Sequence, residues 1–242
     1  MSDVPIFGDL SAVPPRVGKL WFTDHHSYGS PERGMRFSYR TMFVGPQVDP
    51  GKEGLRDYVL QHTSDPAAGF LNIIATSFLY TGGDDPLPTD MASDEMGRIF
   101  LFAIDDIAEA GAEAGQSDVM MLASDALVIP SHKDDVTWLW AAFRFKNQEM
   151  EKDAHPYFMS HLAIRVDAGH VNRVRFTYPE ILDPDVGYRN FLRYLYEWQT
   201  SVARVAAGGM AIGPFEVAEE EEWGEVLSDL QYVSAPDGLI VR

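Results

Sequence analysis

The stretch SHLAIRVDAGHVNRVRFTYPE, residues 160–180, decides how the chain is read. Two runs of alternating apolar and polar residues, separated by DAGH at residues 167–170, are the signature of an antiparallel β-hairpin. Leu162, Ile164 and Val166 fall on one face of the first run, and Val174, Phe176 and Tyr178 are matched to them in the second. Because strand side chains alternate between faces, His161 lies opposite Leu162, while His170 belongs to the turn.

Working outward, SDVMMLASDALVIP (117–130) and DVTWLWAAFRFKN (135–147) are apolar on both alternating sets, as strands covered on two sides are. GKLWFTD (18–24) and MRFSYRTMFVG (35–45) are two further strands; in the second, Met35, Phe37, Tyr39 and Phe43 alternate with Arg36, Ser38 and Arg40. The apolar run AAGFLNIIATSFLYTGG (67–83) suits a buried strand or a buried helix equally. Two long helices stand out. Over 93–114, Met96, Ile99, Phe100, Ala103 and Ile107 form an apolar stripe, closed by Gly115 as the residue after the last turn. Over 183–207, Asp183 is the N-cap and Pro184 the first helical residue. Tyr188, Phe191, Leu192, Leu195, Trp198 and Val202 keep helical spacing there, and Arg193 and Glu197 form an i,i+4 pair. Shorter helices are expected at 53–63 and 219–230, with a last strand at 238–242. The order lacks the regular strand–helix alternation of a parallel sheet. It predicts an α+β single domain with a largely antiparallel sheet of about six to eight strands, packed by two or three amphipathic helices. An extended arm (about 1–17) and an acidic segment (about 210–242) flank it.

Composition narrows the function classes. Hydrophobic content of 45% with charged content of 23% is that of a soluble globular protein. The acidic start, broken by Pro5 and Gly8, is unlike a secretory signal. The absence of cysteine excludes disulfides, thiolate metal sites and cysteine nucleophiles. These features place the chain in the cytoplasm, or in a virion if it is an assembly subunit. The net charge of −18 is segregated. Between Asp84 and Asp135, thirteen acids face only Arg98 and Lys133, and seven acids from Glu216 to Asp229 face no base. Such surfaces repel phosphate, which argues against direct nucleic-acid binding and against anionic membranes.

No phosphate-binding loop, dinucleotide fingerprint, zinc-protease helix or nucleophile elbow is present, and nothing calls for a cofactor. WFTDHHSYG (21–29) offers ligand types for a metal. On a strand His25 and His26 point apart, so only Asp24 and His26 share a face, and a third ligand must come from His155, His161 or His170. The plainer reading makes Asp24, His25 and His26 the end of a strand entering a loop, His161 a half-exposed strand residue and His170 a turn residue. Three functions follow. The first is a non-enzymatic acidic protein, an inhibitor or immunity-type protein or an assembly subunit, docking a basic partner surface through Asp105, Asp106, Glu109, Glu219, Glu220, Glu221, Glu222 and Trp223. The second is a metal-assisted hydrolase using Asp24, His26, His161 and His170. The third is a small-molecule binder with an aromatic pocket between the sheet and the 183–207 helix. The first is favoured.

Overall fold

The structure, a computed structural model, describes residues 13–14, 16–18, 20–30, 32–41, 73–81, 86–113, 115–129, 135–147, 157–167, 169–180, 183–206 and 236. The short helices expected at 53–63 and 219–230, the strand at 238–242 and most of the N-terminal arm lie outside them. Ten elements follow in order: β1 (Arg16–Val17), β2 (Leu20–Ser27), β3 (Met35–Thr41), β4 (Ile74–Tyr80), α1 (Asp94–Glu113), β5 (Gln116–Ile129), β6 (Val136–Asn147), β7 (Tyr157–Asp167), β8 (His170–Pro179) and α2 (Pro184–Ala206). The strands form one eight-stranded sheet in the order β1-β2-β3-β4-β8-β7-β6-β5, antiparallel throughout. Two four-stranded meanders are thus joined edge to edge through β4 and β8. The ambiguous apolar run resolves, from Ile74 onward, as a strand. Among the described residues no helix is long and apolar enough to cross a membrane.

Helix α2 runs along β8 in the opposite direction. Its first turn meets the Tyr178 ring at Gly187, the Phe191 ring lies 6.0 Å from that of Phe176, and Trp198 Nε1 donates to Asn172 Oδ1 at 2.9 Å. On a flat sheet β1 would sit four strand spacings from β8, about 19 Å away. The backbone N–H of Gly18, next to β1, nevertheless donates to the Glu197 carboxylate of α2. On the other flank Leu122 and Leu127 of β5 pack against the same core. The sheet therefore curls around α2. This differs from the amphipathic helix expected from spacing: Asn190, Glu197, Gln199 and Ser201 are buried along with the apolar stripe. The start is as expected, with Asp183 Oδ1 accepting the Val186 N–H at 3.1 Å.

The outer, convex face carries α1. Met96, Phe100, Ala103 and Ile107 bury their side chains against Ala141 and Phe143 of β6, Leu162 and Ile164 of β7, and Val171 of β8. The hairpin 160–180 forms, but its faces differ from the expectation. Asp167 pairs with His170, leaving a two-residue turn, so Leu162 stands opposite Arg175 and Val174 opposite Ala163. Leu162 and Ile164 therefore lie under α1, while Val174, Phe176 and Tyr178 lie under α2. Both faces are covered here, so apolar alternation alone left the phase between the strands undetermined. A second correction concerns 117–130. This run is β5, an edge strand, with Met120, Met121 and Val128 exposed. Its pairing with β6 slips at Ser117/Met120 and Met121/Ala123, and Asp118 takes a φ of 53°. Such irregularities are a usual device on open sheet edges.

The closeness of α2 to β8 can be tested at Gly187. A Cβ there would lie 2.3–2.7 Å from the Tyr178 ring and its hydroxyl oxygen, whereas one at Gly97 of α1 meets nothing within 4 Å. Gly187→Ala is expected to lower stability by about 1–3 kcal/mol through overpacking. Gly97→Ala is expected to raise it by up to about 1 kcal/mol through helix propensity. Urea unfolding of both variants checks this, and equal midpoints would contradict the packing described.

Candidate docking surface

Strand β2 continues to Ser27, so Asp24 and His26 do share a face, pairing with Ser38 and Arg36 on the convex side. Asp24 lies 3.6 Å from the Arg36 guanidinium, and the His26 ring meets Tyr28 edge-on at 4.6 Å. His161 is on the concave side of β7, four strands from β2, and is fully buried rather than half-exposed. His170 pairs with Asp167 at the hairpin end, six residues along the ladder from the His161–Phe176 pair. The four residues of the hydrolase reading are therefore not brought together: the sheet itself separates Asp24 and His26 from His161. Among the described residues no three His, Cys, Asp or Glu gather closely enough to hold a metal ion. His155 lies outside those residues.

His161 instead completes a polar–aromatic cluster. Trp140 Nε1–H donates to its Nδ1 at 3.2 Å, which places the imidazole proton on Nε2, donated to the Tyr178 hydroxyl at 3.2 Å. The Phe191 ring stacks on it at 4.6 Å, with Tyr178 at 5.5 Å, Tyr188 at 5.7 Å and Trp140 at 5.9 Å. Burial lowers the His161 pKa to about 3, and burial together with Asp125 pushes Tyr188 up to about 12. The imidazole is neutral, and these buried rings lie between the sheet and α2.

The surface that stands out is on α1. The helix begins on Ser93, whose Oγ accepts the Met96 N–H at 3.2 Å, and Asp94 and Glu95 in its first turn suit the positive end of the helix dipole. With Met96, Phe100, Ala103 and Ile107 turned inward, the opposite side carries Leu101 and Phe102, 60% and 70% exposed. At ~100° per residue, Leu101, Asp105, Glu109 and Phe102 share one arc of about 100°. Asp105 and Glu109 are exposed there; Asp106, also exposed, is held by Arg173 at 2.8 Å. Helix α1 packs beside β5, whose Met120, Met121 and Val128 add further exposed apolar area. Of the docking residues expected from charge, Asp105, Asp106 and Glu109 thus lie on one exposed helix. Glu219, Glu220, Glu221, Glu222 and Trp223 lie outside the described residues. Charge alone gave no sign of Leu101, Phe102, Met120 and Met121; the signal was present in α1, where two large apolar residues fall off the inward stripe.

The burial of His161 has a measurable consequence. Its pKa is lower folded than unfolded, so the unfolded chain binds the extra proton, and stability falls as pH drops from about 6.5 towards 3. Between pH 7 and 5.5, the loss attributable to this one residue is on the order of 1 kcal/mol. Urea unfolding at the two pH values should show that loss in the native sequence and not in His161→Gln; the same loss in both would rule His161 out as its source.

Comparison with known proteins returns no relative: no protein-family model, no curated protein and no solved structure matches this chain.

Proposed function

We propose that this protein is non-enzymatic and acts by docking, through the outward side of α1 and the adjoining β5 edge, onto a partner protein with a basic surface. The observation that carries the reading is the pair Leu101 and Phe102, exposed on a helix whose neighbouring positions are Asp105 and Glu109. Exposed apolar side chains grouped within a charged rim are the usual anatomy of an interaction patch. Exposed acids that outnumber the one exposed base of α1, Arg98, favour a partner carrying Lys or Arg and accelerate its approach. An inhibitor or immunity-type protein, or a subunit of a larger assembly, fits this layout. The segregation of negative charge in the sequence supports it, since the 84–135 segment that contains α1 is the most acidic part of the chain outside 216–229.

The test begins by capturing partners from the native source on the immobilised protein and then measuring the purified pair. The partner is expected to be basic, with an association that weakens steeply as salt rises. Phe102→Ala should weaken binding about thirty-fold, the loss of one central anchor, while leaving the unfolding free energy within about 0.5 kcal/mol of the native value. Asp105→Lys should chiefly slow association. Binding that is indifferent to salt and to both substitutions would refute the reading.

A further inference from the structure

We propose that Arg175, on the convex face of β8, is the centre of a binding site for a compact oxyanion, a carboxylate or phosphate group, with Gln116, Ser160 and Arg173 around it. Five other strand and helix arginines have ion pairs, and Arg40 and Arg98, which have none among the described residues, are exposed to water, unlike the half-buried Arg175. Arg36 meets Asp24, Arg144 meets Glu180, Arg165 meets Asp167, Arg173 meets Asp106 and Arg193 meets Glu197. Arg175 has only neutral acceptors: Nε donates to Ser160 Oγ at 3.1 Å and Nη2 to Gln116 Oε1 at 3.2 Å. No carboxylate pairs with it among the described residues, in a chain whose net charge is −18.

A guanidinium drawn out of water without a counter-ion is costly, and an arginine carries five N–H donors, of which those two bonds use two. Nη1 has no acceptor among the described residues, yet it is not among the side-chain atoms sealed from solvent without a partner. Nη1 therefore keeps some contact with solvent. Three features hold the fork in place for a planar or tetrahedral anion. The guanidinium lies 5.7 Å from the centre of the Phe145 ring, Ser160 is fully buried, and the Ser160 hydroxyl is itself tied to Thr177 at 3.0 Å. Arg173, two residues along the same face, adds positive potential. Burial and that neighbouring charge pull the Arg175 pKa down to about 10, a strain that an anion would relieve. Arginine is the side chain best suited to bidentate capture of such groups.

This site is separate from the outward side of α1, and its test is separate. The protein is titrated with inorganic phosphate, and in parallel with acetate, at constant ionic strength made up with chloride. Nuclear magnetic resonance follows the Arg175 Nε–H and the backbone amides of Gln116 and Ser160. The expected result is saturable shifts at those three positions with at least one anion. Tighter binding of phosphate assigns the site to phosphate groups, and tighter binding of acetate assigns it to carboxylates. Arg175→Gln should abolish the shifts at Gln116 and Ser160, Arg175→Lys should weaken binding at least several-fold, and Phe102→Ala should leave it unchanged. Shifts that do not saturate in the native protein, or an identical response in Arg175→Gln, would overturn the proposal. Should Arg175→Gln not fold, the native titration decides alone.

Discussion

The enclosure of α2 by the curled sheet is the constraint on which the rest of this molecule depends. A helix buried around most of its circumference must satisfy every polar group it carries inward, since each buried group left unpaired costs about 1–3 kcal/mol. Here the partners are specific. Trp138 donates to Gln199, Trp198 to Asn172, Tyr194 pairs with Ser77, and Gly18 donates to Glu197. These bonds reach β6, β8, β4 and the turn after β1 in turn, so they fix both the rotation of the helix and its position along β8. Sliding α2 by one residue would break several together, which is why a network of this kind specifies one arrangement more sharply than apolar contact does.

The two faces of the sheet follow from that arrangement. The concave face is rich in rings with polar handles, because it must pack a helix and bond to it. The convex face over β6–β8 is apolar under α1, and its charged residues lie where β8 passes beneath that helix. Arg173 ties β8 to α1 through Asp106 and the Ala103 carbonyl, at 2.8 Å and 3.2 Å. The acidic helix is therefore anchored by an arginine from below through Asp106, while Asp105, Glu109, Leu101 and Phe102 point away. A rigid support of this sort limits the ordering cost on association, which favours a surface whose task is recognition.

Both proposed interaction features occupy the convex side, but with opposite charge: an acidic, apolar helix surface and a half-buried arginine with no carboxylate partner among the described residues. A net charge of −18 spread evenly would hide such a distinction. It becomes visible only when the strand register places Arg173 and Arg175 on one face and the helix bonds one of them through Asp106, leaving the other with neutral partners.

By itself the sequence determined the elements whose signals are local. Helical spacing and an Asp–Pro start marked α2, and the stripe Met96, Phe100, Ala103 and Ile107 marked α1. Alternation marked β2, β3 and the hairpin of β7 and β8. It also limited Asp24 and His26 to one shared face, since strand geometry is local too. What it did not determine was anything that depends on which surfaces meet. A strand apolar on both alternating sets reads alike at the centre and at the edge of a sheet, so β5 passed for a covered strand. The phase between β7 and β8 was equally open because both of their faces are buried. His161 resembles any strand histidine until α2 closes over it, and Arg175 resembles any strand arginine until its neighbours prove to be Ser160 and Gln116. Burial and pairing are properties of contacts between residues far apart in the chain, and only the tertiary structure decided them.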